Sequence, residues 1–82
     1  MDYEKIGRAR MMVRLPSHRI PFAEQKTTAL RDLFENYGRA LVKRDELRAQ
    51  SGPLGLIAHY EELCQLLEDK AVKLISRPRL IR

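Results

Sequence analysis

The chain has 82 residues, 44% of them hydrophobic, with 16 Lys and Arg against 11 Asp and Glu and a net charge of +5. That length holds one domain with one core, and the single Cys64 excludes an internal disulfide scaffold. No apolar run approaches the roughly 18 residues that suggest a membrane span. No charged-then-apolar leader opens the chain, so the expectation is a small cytoplasmic protein with no membrane partner.

The charge is unevenly spread. Residues 1–26 hold six bases and three acids, residues 51–75 hold two bases and four acids, and residues 76–82 hold three Arg and no acid. Basic ends around an acidic second half read as solvated tails, with nucleic acid as the competing explanation.

Residues 1–20 show no helical period and read as a mobile or loosely docked segment. Within them Arg10-Met11-Met12-Val13-Arg14-Leu15, bounded by Gly7 and Pro16, reads as a short strand or extended stretch. The one candidate partner strand is Arg79-Leu80-Ile81-Arg82.

A helical domain follows over residues 21–76. Pro21 suits the first turn of a helix, because its missing N–H is not needed there. From Pro21 to Gln50 the residues Ala23, Leu30, Leu33, Phe34, Tyr37 and Leu41 recur at helical spacing and form one stripe. Gly38 sits inside this stretch, where a glycine costs about 1 kcal/mol relative to Ala. The stripe keeps phase across it, since Leu33, Tyr37 and Leu41 are four apart, and this favours one long helix over a split at Gly38. Ser51-Gly52-Pro53 is a stop signal. The second helix then runs from about Leu54 to Ile75, with Leu56, Ile57, Tyr60, Leu63, Cys64, Leu67, Ala71, Leu74 and Ile75 as its stripe. Residues 77–82 form a basic tail.

The short link makes the two helices an antiparallel hairpin. The expected class is therefore all-α: a hairpin of two long helices with flexible basic termini, or a three-helix bundle if the first helix splits at Gly38. Two stripes buried against each other give little core for 82 residues, so a further element, a second copy or another protein must cover the rest.

No residue pattern points to catalysis or to a cofactor. Cys64 lies within the apolar stripe and reads as a small hydrophobe, not as a nucleophile. His59 and Glu62 are helical neighbours, but nothing supplies further metal ligands. Glu61, Glu62, Glu68 and Asp69 read as a solvated acidic face, since acid–base work needs a desolvated cleft. Phosphate-binding glycine loops and nucleophile motifs are absent from the sequence. The bases allow a DNA-binding alternative. Arg8, Arg10, Arg14, His18 and Arg19 precede the helices, and Arg77, Arg79 and Arg82 follow them. A split at Gly38 would also make residues 39–50 a short recognition helix carrying Arg39, Lys43, Arg44 and Arg48.

The Leu15-Pro16 step, a first helix ending LVKRDEL over Leu41 to Leu47, and the second apolar helix resemble small bacterial quorum-sensing antiactivators of the TraM/QseM type. The likeness is one of layout over residues 15–75, with L-V-x-x-D-E-L as the local match. It implies a short helical cytoplasmic protein that binds a LuxR-type or related transcriptional activator and keeps it from switching on conjugative-transfer genes. It carries over no site residue. The candidate contact surface comes from apolar residues outside or beside the stripes: Met11, Met12, Val42, Leu54, Leu66 and Val72. A homodimer is a further candidate assembly.

Overall fold

The computed structural model describes residues 2–76, and within them the chain is all-helical with no strand. Helix α1 spans Tyr3–Arg14. A 3₁₀ turn at Pro16–His18 leads into the short α2, Arg19–Glu24. Helix α3 spans Thr28–Ala49 and α4 spans Leu54–Ser76. Among the described residues there are thus four α-helices where the sequence suggested two, or three with a split at Gly38. The expected basic tail at 77–82, with its candidate strand, lies outside the described residues.

The reading of residues 1–20 as loosely docked, with a strand at Arg10 to Leu15, is corrected. The Asp2 side chain caps α1 by accepting from the Lys5 N–H at 3.1 Å. Tyr3, Gly7, Met11 and Leu15 then follow at intervals of four, which puts them on one face. That face lies on α3, where Gly7 and Met11 are buried. The period was hidden because its second member is a glycine, which adds nothing to a hydrophobic pattern.

The first long helix is interrupted, but not at Gly38. Gln25 and Thr27 are extended, and α3 starts afresh where Thr27 Oγ1 accepts from the Leu30 N–H at 3.2 Å. Ala23, assigned to the stripe, is exposed as a result. Phe22 turns inward instead and packs edge-on against Phe34, with ring centroids 5.6 Å apart. Helix α3 runs unbroken through Gly38.

Helix α3 is the centre of the fold. Both α1 and α4 pack on it, the α1 interface being the more extensive. The core consists of Met11, Phe22, Leu30, Leu33, Phe34, Tyr37, Ala40 and Leu41, joined by Cys64 and Ala71 from α4.

Arg8 ties α1 to the end of α2. Its guanidinium donates to the carbonyl oxygens of Phe22 at 2.6 Å and Gln25 at 3.2 Å, and to Glu4 Oε2 at 2.7 Å. It also lies 4.7 Å from the centroid of the Phe34 ring. Hydrogen bonding to Arg8 holds the Glu4 carboxyl below its ordinary pKa.

Helix α3 ends as the stop signal suggested, with one change. The Gly52 N–H donates to the Leu47 carbonyl at 2.7 Å, the longer bond of a Schellman motif. The residue in the left-handed region is Ser51, at φ 55°, and not Gly52. Helix α4 then packs back on α3, with Arg48 paired to Glu61 and Tyr37 bonded to Glu68.

Candidate protein-docking surface

Helix α4 is rich in large apolar residues and poor in cover. It carries Leu54, Leu56, Ile57, Leu63, Leu66, Leu67, Val72, Leu74 and Ile75, yet its buried residues, among those described, are the small Cys64 and Ala71. The reason lies in which elements touch it. Helix α3 covers one side of α4, while α1 spends its apolar face on α3. Leu56, Leu63, Leu67 and Leu74 recur at seven, four and seven residues, so they form a nearly straight stripe beside the covered side.

That stripe borders a shallow groove of about 500 Å³ between α3 and α4. Tyr60, Leu63 and Leu67 form one wall, and Asn36, Arg39, Ala40 and Lys43 form the other, with Tyr3 at one end. The Arg39 guanidinium is held 4.9 Å from the Tyr3 ring centroid and bonds Glu35 at 2.9 Å. Lys43 is exposed and makes no ion pair with a described residue. The groove has no carboxylate in its lining.

The other side of α4 is polar. A larger groove of about 720 Å³ brings Arg10, Arg14 and Arg44 together with Glu61, Glu62 and Glu68. At its floor Tyr37 Oη donates to Glu68 Oε2 at 2.7 Å, and Arg14 Nε donates to the same oxygen at 3.1 Å. This clasp joins α1, α3 and α4. Burial, with the bond to Glu68 second, pushes the Tyr37 phenol well above its ordinary pKa. Burial likewise raises the Cys64 thiol, which leaves it a poorer nucleophile.

The sequence-derived surface residues are scattered. Met11 is fully buried between α1 and α3, so its assignment to a contact surface is corrected. Met12 is half-buried against the core, and Val42 and Val72 are half-buried. Leu54 and Leu66 are open to solvent, at 83% and 55% exposure. Leu54 and Val72, a whole number of turns apart, share a face, and Leu66 lies about a third of a turn away from them. Residue periodicity alone picked the helix, while Leu56 and Leu74, exposed at 41% and 36%, were assigned to the core stripe.

The four bases of the DNA-binding alternative are not brought to one face. With Gly38 inside α3, residues 39–50 are no separate recognition helix. Arg39 and Lys43 border the apolar groove, whereas Arg44 lines the polar groove and bonds Asp45. Arg48 is paired to Glu61. Arg8, counted among the bases free for phosphate, is taken up inside the fold.

Among the described residues no helix is long and apolar enough to cross a membrane, and no group of His, Cys, Asp and Glu has the composition of a metal site. Comparison with protein families, curated proteins and solved structures finds no match for this chain.

Proposed function

We propose that this chain is a non-enzymatic regulatory protein that acts by docking a partner protein along the uncovered flank of α4. The observation that carries the reading is the mismatch between the apolar content of α4 and its cover. Exposed apolar surface rimmed by polar residues marks interaction sites, and along α4 Leu54, Leu56, Leu66 and Leu74 stand exposed among charged residues in the manner of an interface with a polar rim. The packed pair of α3 and α4 is the platform.

The partner class that the layout resemblance implies is a transcriptional activator of quorum sensing or conjugative transfer, met in the cytoplasm and held inactive. The test is a reporter driven by a LuxR-type activator, with and without this chain. Reporter output falls when the chain is present and returns with Leu56→Asp plus Leu66→Asp, whose circular dichroism matches the parent. An unchanged reporter, or a double variant that still represses, overturns the reading. Salt-sensitive binding of duplex DNA in place of the activator would favour the DNA-binding alternative.

A further inference from the structure

We infer that the groove between α3 and α4 takes an acidic amphipathic helix, laid along the Leu56–Leu74 stripe with its carboxylates toward Arg39, Lys43 and Lys70. This rests on the docking role of α4 proposed above and names the chemistry of the occupant.

The shape sets the first condition. Leu56 to Leu74 spans eighteen residues of helix, about 27 Å, which matches a partner helix of roughly five turns. The spacing of seven, four and seven is that of a seam, against which a second helix sets its own apolar residues at intervals of three and four. Tyr60, Leu63 and Leu67 are packed against the core from α4 and give the seam a firm floor.

Charge sets the second condition. Three of the four carboxylates of α4, Glu61, Glu62 and Glu68, line the polar groove, and the fourth, Asp69, does not. Arg14 and Arg48 bond Glu68 and Glu61. The apolar groove has Arg39 and Lys43 of α3 and no carboxylate in its lining; Arg39 is bonded to the neighbouring Glu35, while Lys43 has no ion-pair partner among the described residues. Lys70, three residues past Leu67 and four before Leu74, falls within the stripe itself. A basic rim around an apolar seam selects a helix with acidic flanks and disfavours one with basic flanks. It also disfavours a second copy of this chain in the isologous arrangement, which would set the same bases against each other.

The experiment uses the full chain and a fluorescein-labelled amphipathic helix of about 18 residues, with Leu on one face and Glu on its flanks. A matched peptide carries Lys for Glu, and a third has the acidic composition in scrambled order. Anisotropy is expected to report binding of the acidic amphipathic peptide at least about tenfold tighter than of either control. Lys43→Glu, at an exposed site, should weaken the preference for the acidic peptide over the basic one.

Equal binding of the acidic and basic peptides, or no binding of either, overturns the inference. So does an α4-mediated dimer, seen by sedimentation and abolished by Leu74→Asp. If the reporter is repressed but the acidic peptide does not compete with the activator, this inference fails and the docking role stands. If the peptide binds as expected and the reporter is unaffected, the occupant is right and the activator is the wrong partner.

Discussion

A β-carbon placed on Gly7 would lie 3.0 Å from the backbone nitrogen of Gly38 and 2.8 Å from the carbonyl carbon of Phe34. A β-carbon on Gly38 would lie 2.8 Å from the carbonyl carbon of Tyr3 and would overlap its oxygen. The two glycines therefore mark where the backbones of α1 and α3 meet without side chains between them. Both sit inside helices, where glycine is locally unfavourable, so the close crossing is what accounts for them.

Gly7→Ala and Gly38→Ala should each destabilise the fold by about 3 kcal/mol or more, since the added methyl meets backbone and not a flexible side-chain end. Gly55→Ala is the control. Nothing lies within 4 Å of its β-carbon position, and the change should stabilise α4 by about 0.5 kcal/mol. Urea denaturation of the three variants measures the contrast. Equal effects at Gly38 and Gly55 would mean that the helices do not cross so closely.

Arg8→Ala should cost about 2–3 kcal/mol, because it leaves the carbonyl oxygens of Phe22 and Gln25 without their donor and removes the stack on Phe34. The loss should be local at first. Hydrogen exchange would show α2 opening before α3, and a uniform loss of protection would contradict the role given to Arg8.

Tyr37 makes stability fall in alkali. Its pKa is raised in the folded chain above the unfolded value of about 10. Between those two values the folded state holds more protons than the unfolded state. Its contribution is thus complete below pH about 10 and shrinks as pH rises through the folded pKa. Absorbance at 295 nm should show Tyr37 ionising together with unfolding and not before it. Tyr37→Phe should remove that component and flatten the alkaline loss, while weakening the hold on Glu68.

Ser51 carries a left-handed backbone that glycine adopts freely. Ser51→Gly should raise stability by about 0.5–1 kcal/mol in thermal or urea unfolding. Gly52→Ala should do the opposite, since its β-carbon would lie 3.1 Å from both the Leu47 carbonyl oxygen and Leu47 Cδ2.

Some of this architecture was legible along the chain. Composition and two long apolar periods set the all-helical class, and Ser51-Gly52-Pro53 marked the end of α3. The continuity of α3 through Gly38 followed from the unbroken phase of Leu33, Tyr37 and Leu41. The signals for α1 and for the break before α3 were also present, as Asp2 three residues before Lys5 and Thr27 three before Leu30. Capping residues of this kind occur throughout loops and gain meaning only beside a visible period.

What the sequence by itself determined is local: which stretches favour helix, where a chain of L-residues stops one, and which side chains recur on a face. Those follow from φ/ψ sterics and from the fixed turn of the helix. What only the tertiary structure decided is cover. Met11 and Leu66 are equally apolar to a reader of the chain, yet Met11 is sealed by α3 while Leu66 stands in water. The difference comes from α1, which Gly7 lets settle directly on Gly38, so that its apolar face covers α3 while it meets α4 through Arg14 and Glu68. Burial depends on where a distant element comes to rest, and no period within α4 contains that information.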